Sequence, residues 1–102
     1  MTITEMKTPE LKGEQIGLTT SETLQHYLKR YLDRADWSNV SQKTNIGFHT
    51  VRNLVYGTSS ITKDNYIALV ELTRMAIIKC EDESQDARAA MRKLKSILKN
   101  VE

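Results

Sequence analysis

Four side chains of different chemistry share one short stretch of the chain: His49, Arg52, Asn53 and Tyr56 follow one another at i, i+3, i+4 and i+7. On a helix with Leu54 at 0°, and about 100° per residue, they fall at about 160–260°, while Val51 and Val55 fall at about 60° and 100°. An imidazole, a guanidinium, an amide and a phenol are thus aimed away from an apolar inner edge. Two of these groups have the best vocabulary for base edges: Arg matches guanine O6 and N7, and Asn matches adenine N6 and N7. Catalysis finds less support. A nucleophile needs a His placed beside it, and His26 and His49 belong to separate helical patterns. Neither a Gly-rich phosphate loop nor paired metal-ligand spacing occurs, so the expectation is a binding protein without catalytic residues, cofactor or metal.

The elements that must position this stripe read as helices throughout, because no alternation at period two persists. Leu24, Tyr27, Leu28, Tyr31, Leu32 and Ala35 form one apolar stripe, started by a cap at Thr20 or Ser21. Trp37-Ser38-Asn39 offers a cap for a short helix over Val40 to Thr44, which Asn45 ends by adopting the left-handed conformation. Gly47 then opens a helix from Phe48 to Tyr56, closed by Gly57, and Thr58-Ser59-Ser60 is a polar loop. Val51, Leu54 and Val55 have the spacing of a narrow buried face, and Phe48 lies at its edge. Thr62 caps a longer helix over about residues 63–79 that is apolar around most of its circumference. Acids from Glu81 to Asp86, followed by bases from Arg88 to Lys99, suit the dipole of a separate last helix capped by Ser84. A break near residues 81–84 is therefore expected. Ala87, Met91, Leu94, Leu98 and Val101 make a two-heptad seam in that helix.

Ser41, Asn45, Ile46, Val51 and Leu54 fit the spacing small-x-x-x-(Gly/Asn)-apolar-x-x-x-x-apolar-x-x-apolar. In this pattern, with the Val-Tyr-Gly junction after it, residues 20–80 resemble the helix-turn-helix DNA-binding domains of the lambda-repressor and Cro type. Three positions depart from the usual pattern: Ser41 stands for Ala, Asn45 for Gly, and Gly47 for a Ser cap. Each is physically permitted, and together they mark a divergent member. The resemblance implies that helix 48–56 lies in the major groove of double-stranded DNA. Phe48, His49, Arg52 and Asn53 would then read bases, with Tyr56 nearer phosphate. Ser38, Gln42, Lys43, Thr50 and the loop Thr58, Ser59 and Ser60 would make backbone contacts. Gly47 would let a phosphate approach the helix start.

The chain has 102 residues and a net charge of +2, too small to announce a nucleic-acid partner by itself. Residues 21–60 hold five basic against three acidic side chains, and both histidines besides. The organisation expected is all-α: a compact lambda-repressor-like bundle of about five helices. Residues 1–19 form a flexible arm, 20–80 the helix-turn-helix domain, and 81–102 an amphipathic C-terminal helix that, with the apolar excess of helix 63–79, is a candidate dimerisation element. A single recognition helix makes few base contacts, which argues for a homodimer on a pseudo-palindromic operator. The expected role is a prokaryotic or phage transcriptional regulator, with a repressor as the type. The competing reading is a helical interaction module, or an antitoxin-like regulator, that binds a protein through its C-terminal helices. No apolar run approaches a membrane span, no leader is evident near Met1, and the lone Cys80 reads as a small buried residue in a reducing cytoplasm.

Overall fold

The computed structural model describes residues 11–101, and of residues 98–101 the backbone alone. Four helices follow one another: α1 (Glu22–Tyr31), α2 (Arg34–Thr44), α3 (Phe48–Tyr56) and α4 (Tyr66–Val101). The expected all-helical class holds, with four helices among the described residues in place of five because the break expected in the last helix is absent; the end of the first helix differs as well.

The first difference is the end of α1. Its apolar stripe was expected to run to Ala35, but the helix stops at Tyr31, Leu32 is extended, and Ala35 is exposed on α2. The cause is Asp33. Its carboxylate accepts the Asp36 N–H at 3.1 Å while the Asp36 carboxylate accepts the Asp33 N–H at 2.9 Å. This reciprocal capping box starts α2 three residues before the Trp37-Ser38-Asn39 cap that the sequence suggested. Ser21 caps α1 as expected, accepting the Leu24 N–H at 3.2 Å, and is itself held by the Glu14 carboxylate.

The second difference is α4. No break falls at residues 81–84, and a single helix runs from Tyr66 to Val101. Neither Gly nor Pro occurs after Gly57 to interrupt it. The start also differs, at Tyr66 rather than about residue 63; Thr62 opens the turn before it, its hydroxyl accepting the Asn65 N–H at 3.1 Å while Asn65 Oδ1 accepts the Thr62 N–H at 2.8 Å. The first half of α4 contributes Ala68, Leu69, Leu72 and Ala76 to the core. Beyond Lys79 every described side chain is exposed, Cys80 included, so the thiol expected to be buried faces solvent.

The core joins Leu28, Leu32, Trp37, Val40, Val51, Leu54, Val55 and Ile61 to those α4 residues. Each such aliphatic side chain withdrawn from water favours folding by about 1.5–3 kcal/mol. Of the arm expected over residues 1–19, residues 1–10 lie outside the described residues. Residues 11–19 are tied to the body by discrete bonds. Gly17 N–H donates to Ile61 O at 2.7 Å, Ile61 N–H returns a bond to Leu18 O at 2.8 Å, and Leu11 N–H donates to the Tyr66 hydroxyl at 2.7 Å. Among the described residues, no helix is long and apolar enough to cross a membrane.

Two ion-pair groups lock α2 against α4. Lys79 Nζ donates to Asp36 Oδ2, joining the capping box to the long helix. Glu71, buried on α4, takes Lys43 at 3.2 Å and Arg74 at 3.0 Å. Burial works against the charge on Asp36, but the hydrogen bonds from Lys79 and from the Asp33 N–H outweigh it and hold this carboxyl below its ordinary value. The same bond raises Lys79 above its own. A lowered carboxyl stabilises the fold above its unfolded pKa and stops doing so as pH falls through the folded one. Lys79→Met should therefore cost about 1 kcal/mol at neutral pH. In urea titrations the gap to wild type should begin to narrow below about pH 4, the ordinary aspartate value, and close as pH falls through the lower value held by the folded Asp36 carboxyl. A gap that stays constant down to acid pH would show that the charge pair contributes nothing.

Gly57 ends α3 with φ 71°, and its N–H and that of Thr58 return to Leu54 O and Asn53 O. A methyl group built there would stand 2.2 Å from Gln25 Nε2, which donates to Thr20 O at 2.7 Å. Gly57→Ala should lose about 1–2 kcal/mol from backbone strain alone. Thermal melts should also show that it costs less in a Gln25→Ala background, because part of the loss is this clash.

Candidate nucleic-acid interface

The turn between α2 and α3 is three residues long, and its geometry follows from three side chains. Asn45 takes the left-handed conformation at φ 62°, the only positive φ outside glycine among the described residues. Ser41 Oγ donates to Ile46 O at 2.6 Å, tying the turn back to α2. Ile46 packs against the core cluster. Val51, Leu54 and Val55 then bury the inner edge of α3 completely, as the wheel indicated. The bounds of α3 match the sequence reading at both ends.

Not every residue of the expected stripe is free. Tyr56 leaves 39% of its surface exposed, but its ring meets Trp37 edge-on at 5.6 Å. Arg52 lies over the same tyrosine at 4.9 Å. Phe48 is half-buried, 6.3 Å from Trp37, with His49 set edge-on to it at 5.8 Å. Trp37 thus spans the ridge formed by Phe48 and Tyr56, with Arg52 one helical turn from each. Its indole nitrogen is buried without a hydrogen-bond partner, so ring contacts alone hold it.

Two cations that the single-helix wheel could not find complete the group. Arg34, at the start of α2, lies over the Phe48 ring at 5.7 Å, and Lys29 of α1 lies over the Tyr56 ring at 5.4 Å. The face therefore carries Lys29, Arg34, His49 and Arg52 around three aromatic rings drawn from α2 and α3. A signal for it exists in the sequence: no acidic residue occurs between Asp36 and Asp64.

The remaining expected contacts take no part in the ring and cation contacts of this cluster. Lys43, whose side chain is mostly exposed, is turned toward Glu71 on α4. Ser38 is half-buried and Gln42 exposed along α2, and Thr50 and Asn53 are half-buried on α3. Thr58 is exposed and Ser59 half-buried beyond the far end of α3, about 15 Å along its axis from Gly47. Ser60 bridges to Thr19. Among the described residues, no group of His, Cys, Asp and Glu side chains could hold a metal ion.

The start of α3 has neither a side-chain cap nor an acid in its first turn. Gly47 has φ −55°, which any residue adopts, and a Cβ there would meet only Thr50 Oγ at 4.0 Å. Nothing among the described residues requires glycine at this position, and the first amides of α3 keep their hydrogen-bonding capacity.

No protein-family model matches the chain, and no curated protein or solved structure matches it either.

The uncapped helix start gives a direct stability test. Gly47→Asp supplies a cap and a favourable charge at the positive end of α3, and should stabilise the domain by about 0.5–1 kcal/mol. The check is a rise of several degrees in the thermal midpoint; an unchanged or lower midpoint would mean that these amides already have partners.

Proposed function

We propose that this protein is a sequence-specific double-stranded-DNA-binding transcriptional regulator, in which α2 and α3 form a lambda-repressor-like helix-turn-helix and α3 enters the major groove. The observation that carries the reading is the cationic and aromatic face around the uncapped start of α3. Arg34 and Arg52 lie over the Phe48 and Tyr56 rings of the helix that starts there with open amides, and α3 itself belongs to a stretch of chain free of acids. Helix N-termini of this kind accept phosphate, and a basic surface contributes the counterion-release part of DNA affinity. Arg52, whose guanidinium lies over the Tyr56 ring, is assigned to a guanine edge, with His49 and Asn53 beside it on α3. Arg34 and Lys29 are assigned to phosphates, together with Gln42, Thr50, Thr58 and Ser59. Lys43 has a structural duty toward Glu71, so its removal would mix loss of fold with loss of binding. Arg34 is the better probe of backbone contact.

A second reading, a module that binds a protein partner through α4, draws on the exposed Ile77, Ile78, Met91, Leu94 and Ile97. Salt separates the two. DNA binding should weaken steeply and linearly in log–log form as salt rises, by a slope of about 0.9 per phosphate contact, whereas an apolar helix contact should change little.

The deciding experiment is selection of bound duplexes from a random library, with an enriched motif expected. On the selected site, Arg52→Ala should cost about 1–3 kcal/mol and relax preference at one base pair, while Arg34→Ala should weaken all sequences alike. Gly47→Asp should bind less tightly although it folds more stably, since its carboxylate would face the phosphate. No enrichment at low salt and high protein concentration would overturn the proposal.

A further inference from the structure

The continuity of α4 leaves one sequence feature without its first explanation. Acids at Glu81, Asp82, Glu83 and Asp86, followed by bases at Arg88, Arg92, Lys93 and Lys95, would suit the dipole of a helix that began near residue 83. No helix begins there. The acidic block lies in mid-helix, more than three turns from the start at Tyr66, and the dipole acts only within the first and last turns.

Within a lone helix this order is unfavourable. Asp82 and Asp86 are four apart, Glu83 and Asp86 three, Arg88 and Arg92 four, and Arg92 and Lys95 three. All are like-charged neighbours, each destabilising by a few tenths of a kcal/mol. From Glu81 to Lys95 no opposite pair occurs at that spacing. The body offers little relief: Arg30 reaches Glu83 at 3.7 Å across an exposed surface, and the other charges of the block stand in solvent.

We propose that the projecting half of α4 pairs antiparallel with the same segment of a second copy of this chain, about a two-fold axis near Ala87. Reflection about Ala87 brings the acidic segment from Glu81 to Asp86 level with the basic segment from Arg88 to Lys93 of the second copy. It also brings Ile77 level with Ile97 and sets Cys80 against Leu94. A parallel pair would stack acid on acid and base on base. The apolar ends supply burial, since Ile77, Met91, Leu94 and Ile97 are 53–64% exposed in the single chain. The small residues Ser84, Ala87 and Ala90 lie at the centre, where two helix axes approach most closely. The pairing is independent of the DNA-binding proposal, and its test contains no DNA.

The test is made on the full chain, by light scattering after size exclusion, with mild oxidation in parallel. Wild type should be a dimer at micromolar concentration and should weaken as salt rises. Replacing Arg88, Arg92 and Lys93 together by Glu should weaken it by about tenfold or more. Mixing that variant with one carrying Lys at Glu81, Asp82 and Asp86 should restore a dimer. Circular dichroism melts check that both variants fold, which the exposure of these positions permits. Wild type, whose one thiol is Cys80, should not crosslink on oxidation, because the two thiols lie on opposite sides of the dyad. Leu94→Cys should crosslink readily, joining the introduced thiol to Cys80 of the second copy. A monomer at all concentrations would overturn the proposal, and so would wild type crosslinking through Cys80 as readily as the variant, which marks a parallel pair.

Discussion

The carboxylate of Asp36 is the point on which the arrangement of the three short helices depends. It closes the capping box that starts α2 and accepts Lys79 from α4, all from a site that is 6% exposed. A buried charge is tolerable only when it is paired and hydrogen-bonded, and here the two partners of Oδ2, the Asp33 N–H and Lys79, come from the start of α2 and from α4. The start of α2 is therefore fixed in position along α4. Arg34 and Trp37 lie on either side of Asp36, and they are the residues that Phe48 and Tyr56 meet. The face presented by α3 is thus set by an ion pair on the other side of α2.

The sequence made α3 legible because its signals are local. A glycine at each end and three apolar residues at helical spacing suffice, and Asn45 marks the turn without help from distant residues. The start of α2 was harder. The apolar stripe passes through Leu32 to Ala35 with no Gly or Pro, and a capping box closed by Asp in place of the usual Glu or Gln is a weak signal against it. Residues 11–19 looked unattached because they are poor in large apolar side chains. Their attachment is by backbone bonds to Ile61 and by Leu11 at Tyr66, neither of which leaves a periodicity. The continuity of α4 was visible in the absence of helix breakers, but the ordered charges suggested a boundary that the backbone does not make.

The candidate interface was half legible for a related reason. A helical wheel sorts the residues of one helix, so it found His49, Arg52, Asn53 and Tyr56 and treated them as a single outward stripe. It could not show that Trp37 comes across from α2 and occupies the ridge between Phe48 and Tyr56. Nor could it place Lys29 and Arg34, which reach those rings from other helices. Aromatic and cationic contacts between elements are tertiary facts. The acid-free interval from Trp37 to Lys63 traces the α3 side of this face only, since Lys29 and Arg34 lie outside it.

The long helix also fixes a phase. Ala68, Leu69, Leu72 and Ala76 are seated in the core, and the same uninterrupted backbone carries Met91, Leu94 and Ile97 into solvent. With about 100° of rotation per residue, the direction in which the tip points is dictated by how the root is packed, as in a key whose bit is cut from one piece with its bow. A one-residue insertion between Cys80 and Ala87 would leave the core untouched yet swing the distal side chains through more than a quarter turn. Seven residues would nearly restore their bearing, about 10 Å further out. Where the distal side chains meet a partner as proposed, changes in length along this segment are constrained to steps that restore this bearing, such as seven or eleven residues.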